Sequence, residues 1–285
     1  MAEEVINYGG SGEMPWWARK RKGLTNRYHK YKRHLLWALH VRTTRIELDY
    51  GKLPAGVTPV IINNFNRLAL VREQVDWLLG LREPVAVVIV DNDSTYPPLL
   101  DYYDQLDHPL VQVVRLGFNS WRKGAAYVAR EKLRAFDRYV ITDSDLLPYP
   151  ETPPDLIAHL SALLDRYPEY NHVGTSLRIT DLPDHYPLKE TVIGYESRFW
   201  PPAARERGGD GYEALIDTTF AMYRRGSSVL ATGPALRTKH PYTLRHVDWY
   251  TDPAAISPEF EYYLKSCKSF ATWAFEAKRQ AASSE

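Results

Sequence analysis

Two acids one residue apart, Asp143-Ser144-Asp145, close a short apolar run, Tyr139-Val140-Ile141-Thr142. The run reads as a buried strand, so both carboxylates emerge at its carboxyl end, where open α/β sheets bind their ligands. Carboxylates at i and i+2 of an extended or tightly turned backbone can approach one hard divalent cation, Mg2+ or Mn2+, that also holds diphosphate oxygens. Such a cation offsets the charge that develops on a leaving nucleoside diphosphate. D-x-D alone is common as a solvated turn; the strand ahead of it gives it meaning. A second apolar run, Val87-Val88-Ile89-Val90, ends in Asp91-Asn92-Asp93-Ser94-Thr95. Acid and amide side chains there can bond a base edge and ribose hydroxyls.

The elements that must position these residues alternate between strand and helix from Thr58 onward, the signature of a mostly parallel sheet with helices on both faces. Strands are expected at 60–62, 85–90, 111–114 and 139–141, and helices at 68–79, 99–106 and 124–136. Beyond Pro148 the regularity decays. A helix over 155–167 and a strand over 173–177 precede a stretch rich in Pro, Tyr and Trp from Asp181 to Pro202, then Gly208-Gly209-Asp210-Gly211. Irregular, aromatic-rich segments of this kind suit a carbohydrate acceptor, because sugar rings stack on aromatic faces; ordinary loop and core packing is the competing reading.

With 285 residues, 44% of them hydrophobic, the chain can bury a substantial core. Its single cysteine, Cys267, excludes an internal disulfide framework and a cysteine-rich metal cluster, and suits a reducing compartment. No run of ~18 apolar residues is present to span a bilayer, and the N-terminus lacks the order of a signal peptide, so a soluble cytoplasmic protein is expected. Net charge is +1, but residues 1–50 hold ten Lys/Arg against five Asp/Glu. Between Pro15 and Arg33, eight basic residues interleave with Trp16, Trp17, Tyr28 and Tyr31 without one acid. This arm can contact nucleic-acid phosphates, an anionic membrane surface or an acidic glycan, or it can pack over the domain through its aromatics.

The ordered set of motifs resembles the family 2-like glycosyltransferases of GT-A fold. Val60-Ile61-Ile62-Asn63-Asn64-Phe65-Asn66-Arg67 is similar to their opening strand and loop, and Val90-Asp91-Asn92-Asp93-Ser94-Thr95 to their nucleoside-binding turn. Asn119 to Gly124, followed by a helix, resembles the segment ahead of their metal motif, where Asp143-Ser144-Asp145 then falls. A narrower likeness, to bacterial transferases of surface glycans, lies in Tyr212-Glu213-Ala214-Leu215-Ile216-Asp217 and in Pro241-Tyr242-Thr243-Leu244-Arg245-His246-Val247-Asp248. The resemblance implies a Rossmann-like sheet with an irregular acceptor-binding part. Residues 1–56 form the basic arm, 57–150 a nucleotide-sugar-binding half, and 151–285 an acceptor-binding half with a C-terminal helix.

It also implies roles. Asn64, Asn66, Arg67, Asp91, Asn92, Arg122, Lys123 and Ser144 surround a nucleotide-sugar donor, with uridine diphosphate as the carrier. Asp143 and Asp145 hold the metal, with His246 as third ligand and His240 as its competitor. Asp217 is the carboxylate that removes the acceptor hydroxyl proton in an inverting transfer, since a hydroxyl is a poor nucleophile at neutral pH; Glu196 is the reserve. Asp248 stands out as an acid where a neutral residue is expected. The acceptor is open among a surface-glycan intermediate, a protein and modified DNA. Two other functions compete. A nucleotidyltransferase acting on sugar phosphates also uses strand-end carboxylates, but would have a Gly-rich loop where Asn64-Phe65-Asn66-Arg67 stands. A non-catalytic glycan- or nucleic-acid-binding protein gives Asp143 and Asp145 no purpose.

Packing of the arm through its four aromatics is favoured, because left in water they form a costly exposed patch. Deleting residues 1–33 is therefore expected to lower the melting temperature and to depress donor and acceptor functions together. An unchanged melting temperature with acceptor binding made insensitive to salt would assign the arm to a polyanion instead.

Overall fold

The computed structural model describes residues 32, 34–216, 219–227 and 235–267. The chain divides into two units, residues 1–46 and 47–285. In the first, residues 34–43 form a helix, α1. The basic run singled out in the sequence lies, apart from Lys32, outside the described residues.

The second unit opens on a turn at Tyr50–Lys52. It is fastened to the sheet by reciprocal bonds between the Asp49 backbone and the Gln112 amide, at 2.8 and 3.0 Å. Strand β1 (Thr58–Asn64), helix α2 (Leu68–Leu79), β2 (Val85–Asp91), α3 (Pro97–Gln105) and β3 (Val111–Arg115) follow in alternation. Next come α4 (Lys123–Tyr127), β4 (Arg138–Asp143), β5 (Leu146–Pro148), α5 (Leu156–Arg166), β6 (His172–Gly174), β7 (Ser176–Leu177) and α6 (Lys189–Glu196). Strands β8 (Arg205–Arg207), β9 (Gly211–Glu213), β10 (Ala221–Arg224), β11 (Leu236–Thr238) and β12 (Thr243–His246) precede α7 (Pro258–Ser266).

One sheet runs β3-β2-β1-β4-β10-β6-β11-β9-β8, and a smaller one β5-β12-β7. Its first four strands are mutually parallel. Beyond them β10 runs antiparallel to β4, and the remaining strands are of mixed direction. All seven residues of β2 are buried, as a parallel strand covered on both faces requires. Side chains alternate between the faces. Val60, Ile62, Val87, Ile89 and Val140 join the core built with α2, α3 and α5. Ile61, Val88, Val90 and Ile141 are equally buried and point to the other face, where Gly124 of α4 lies against Val90 and Leu116.

Two expected elements take a different form. The helix expected over 124–136 is a single α-turn followed by a π-turn, Val128–Lys132, closed by a 3.2 Å bond from Leu133 N to Val128 O. The wider turn keeps both Val128 and Leu133 fully buried. The strand expected over 173–177 is two strands in different sheets, because the Thr175 amide turns to bond Phe220 O at 2.9 Å between them. Gly174 permits this crossing: a Cβ there would meet Phe220 O at 2.7 Å.

Candidate active site

Three parallel strands end at one edge with polar side chains, Asn63 and Asn64 on β1, Asp91 on β2 and Asp143 on β4. The register sets Asn63 beside Asp143, and the Asn63 amide donates to Asp143 Oδ1 at 3.0 Å. Asn92 Nδ2 donates to Asn63 Oδ1 at 2.7 Å. Asn92 Oδ1 accepts from Ser120 N at 3.1 Å and Oγ at 2.9 Å, and Ser120 Oγ accepts from Gly124 N at 2.9 Å. A continuous chain of hydrogen bonds thus runs from the first acid of the D-x-D to the start of α4, where Arg122 and Lys123 sit. Gly124 is required by that closeness, since a Cβ would stand 2.7 Å from Ser120 Oγ and 2.3 Å from Leu116 Cδ1.

The loops after β1 and β2 are fastened to each other. Asn66 adopts φ 52°, a left-handed conformation that asparagine tolerates better than most residues. Its Oδ1 accepts from the amides of Thr95 and Tyr96 at 2.7 and 3.0 Å, and its own amide donates to Ser94 Oγ at 2.9 Å. Asn64 Nδ2 donates to Tyr103 OH at 2.8 Å, and that hydroxyl donates to Asp91 Oδ1 at 3.2 Å. Asp91 Oδ2 accepts from Ser94 N at 2.9 Å. Burial pushes the Asp91 carboxyl up against the pull of these bonds. Asn64, Asn66, Asp91 and Asn92 are all buried, and their side chains give the loops after β1 and β2 their shape.

Arg67, the last residue of the loop after β1, forms a two-pronged pair with Asp248: Nη2 to Oδ1 at 2.6 Å and Nη1 to Oδ2 at 3.2 Å. Both are buried, and the guanidinium lies 5.0 Å from the Phe260 ring centre and 4.7 Å from that of Tyr263. Burial alone would raise the Asp248 carboxyl; the Arg67 charge and hydrogen bonds overcome it and hold the group below its ordinary value. The acid unexpected at 248 is therefore the counter-charge of Arg67.

Asp145 lies next to this pair. Val247 N donates to Asp145 O at 2.8 Å, and the antiparallel pairing of β12 with β5 sets His246 opposite Leu146. His246 Nε2 comes 3.5 Å from Asp145 Oδ2, with its ring stacked on Trp249 at 4.7 Å. Asp145 Oδ1 and His246 Nδ1 are buried without a hydrogen-bond partner, an arrangement that costs about 1–3 kcal/mol per group when left so. Burial pushes the Asp145 carboxyl up and Asp248 adds to this, while His246 and Arg67 oppose it. A divalent cation held between Asp145 Oδ2 and His246 Nε2 would favour the charged carboxylate: ligands at about 2.1 Å around one ion stand ~3 Å apart, close to the 3.5 Å between those two atoms. Among the described residues no three His, Cys, Asp or Glu are gathered into a metal cage.

Of the remaining expectations, Ser144 is buried in the D-x-D turn. His240 lies outside it, in the turn joining β11 to β12. Glu196, at the end of α6, accepts from Arg237 Nη1 at 3.1 Å, and burial raises its carboxyl against that charge. Arg237 Nε also donates to Leu215 O at 2.8 Å, just ahead of Asp217. Asp217 itself lies outside the described residues. The sequence reading passed over Asn63, Ser120 and Gln74. The last is the one polar residue on the buried face of α2, and its amide reaches the D-x-D backbone. Polar residues inside otherwise apolar runs were the available signal.

The buried pair makes a direct expectation. Asp248→Asn leaves Arg67 without a counter-charge and should cost about 3–5 kcal/mol of unfolding free energy, read by denaturant titration, whereas replacing both residues with apolar ones of similar volume should recover much of it.

Residues 60–228 match the model of the glycosyl transferase family 2 domain. No curated protein matches the sequence. Among solved structures, a mannosyltransferase of Pyrobaculum calidifontis in complex with GDP-Man and Mn2+ is 18% identical, with a TM-score of 0.43 over 90% of this chain and 77% of that one. Residues 1–349 of S. aureus TarS are 12% identical, with a TM-score of 0.40 over 67% of this chain and 60% of that one. Glucosyl-3-phosphoglycerate synthase of Mycobacterium tuberculosis is 15% identical, with a TM-score of 0.35 over 64% and 63%. Because the family match takes in more than half of the sequence and contains the ends of β1, β2 and β4, the chain belongs to glycosyl transferase family 2.

Proposed function

We propose that the chain moves a sugar from a uridine diphosphate sugar to an acceptor hydroxyl, with inversion, and that it depends on Mn2+ or Mg2+. The observation that carries the metal-dependent reading is the approach of His246 Nε2 to within 3.5 Å of Asp145 Oδ2, beside the D-x-D strand end. Hard cations of this size are commonly held by one or two carboxylates together with substrate phosphates, so a complete protein cage is not needed. In this reading Asp143, Asp145 and His246 hold the ion, which when bound offsets the charge of the leaving diphosphate.

The other roles belong to the chain itself. Asn63 fixes one oxygen of Asp143. Asp91 and Asn92 shape the strand ends beside the nucleoside, with Asn64, Asn66 and Arg67 setting the loop across from them. Ser144, buried between the two acids, belongs to the donor side. Arg122 and Lys123, tied to the same network through Ser120 and Gly124, reach the diphosphate oxygens. Asp217 takes the acceptor proton as the new glycosidic bond forms. Uridine as the base rests on sequence resemblance alone. The acceptor is a surface-glycan intermediate, a protein or modified DNA, and the arm at 15–33 offers contact with a polyanion or membrane surface. Among the described residues no helix is long and apolar enough to cross a membrane, and the lone Cys267 fits a cytoplasmic setting. Membership of the family sets aside both the nucleotidyltransferase and the non-catalytic binder.

Asp143→Ala and Asp145→Ala should each abolish metal-dependent transfer and donor hydrolysis while the circular dichroism spectrum stays that of the parent, and chelation should act alike. Full activity in either variant removes the metal assignment. Asp217→Asn keeps shape and removes basicity, so turnover should fall by roughly 10²-fold or more with donor affinity retained. Loss of donor binding instead, with normal turnover of what still binds, would move Asp217 to the donor side.

A further inference from the structure

Gln74 occupies the face of α2 that packs into the core, in the company of Val71, Val75 and Leu78, and it is fully buried. An apolar side chain of the same volume would fill that position without desolvating an amide. The polar group is explained by where it reaches. Nε2 lies 3.0 Å from Asp143 O and 2.7 Å from Leu146 O, with Thr142 Oγ1 at 3.5 Å. Two carbonyl oxygens can only be met by the nitrogen end of the amide, which fixes its orientation. Oε1 is left buried without a partner, so the side chain is turned towards the turn at the expense of its own acceptor.

The two carbonyls are the two ends of the D-x-D turn: β4 ends at Asp143 and β5 begins at Leu146. One amide thus clasps both ends, while Val247 N holds Asp145 O between them at 2.8 Å. We propose that Gln74 is the positioning residue of this turn, setting how the Asp143 and Asp145 carboxylates face each other and His246. The proposal extends the metal-dependent reading above and rests on it for the effect on the ion, but its effect on the turn stands alone.

The test replaces Gln74 with Met and, separately, with Leu, two apolar residues of similar volume, so that one non-folding variant does not end the experiment. Val75→Ala on the same helix serves as a control that loosens the core without touching the turn. Hydrogen exchange of the Val247 amide, whose acceptor is Asp145 O, reports the position of the turn. Titration with Mn2+ in the presence of uridine diphosphate, followed by the electron paramagnetic resonance of the free ion, reports the carboxylates.

In the Gln74 variants the Val247 amide should exchange at least about tenfold faster relative to amides of β2, and Mn2+ affinity should weaken by a similar factor, with the far-ultraviolet spectrum unchanged. Parental exchange at Val247 overturns the proposal, as does the same pair of changes in Val75→Ala. Absence of Mn2+ binding by the parent protein would remove the metal reading, and the exchange measurement would still decide the role of Gln74.

Discussion

A guanidinium and a carboxylate 181 residues apart in sequence, Arg67 and Asp248, meet out of water with two hydrogen bonds, and the arrangement of the candidate site hangs on that meeting. Burying each charge is expensive by itself. The loop after β1 must therefore bring its arginine to the one place where the turn after β12 offers an acid, and neither segment can move without leaving a bare charge behind. The same turn carries His246 and, through the amide of Val247, the backbone of Asp145. The loop after β1 and the segment after β12 are thus located by a single electrostatic constraint, with the aromatic rings of Phe260 and Tyr263 closing over the arginine.

Around that fixed point the parallel strands supply polar groups in register. Neighbouring strand ends place Asn63 beside Asp143, and the hydrogen-bond chain through Asn92 and Ser120 carries the position of that acid as far as α4. Most of these side chains are buried and fully occupied with one another. Beside that network, Asp145 Oδ1 and His246 Nδ1 lie buried without a hydrogen-bond partner, as do Asn64 Oδ1 and Gln74 Oε1.

The parallel half was legible because its signals are local. Apolar runs such as Val85–Val90 have one stable use, and the helix at Leu68–Leu79 shows its periodicity directly. The D-x-D was legible from its place at a strand end. The acid at 248 stands out in the sequence, but its pairing with Arg67 does not, because a contact across 181 residues leaves no mark on local pattern. Gln74 escaped for a similar reason, since a buried amide looks like a flaw in an amphipathic stripe until its acceptors are seen. The division of residues 172–177 between two sheets turns on a close approach at Gly174, which depends on where Phe220 comes to lie.

Helix α7 carries a consequence for how the protein comes into being. Glu259 receives the Ala69 amide at the start of α2, Tyr262 bonds Thr95, and Ser266 bonds Asn66 across 200 residues. During synthesis the chain emerges from its N-terminus, and early segments begin to fold before later ones exist. The parallel strands are all made once Asp143 has emerged, yet the loops at their edge wait a further 123 residues, from 143 to 266, before their last contact arrives. The nascent enzyme therefore passes an interval with its parallel strands made and the loops at their edge unfinished, until translation reaches α7.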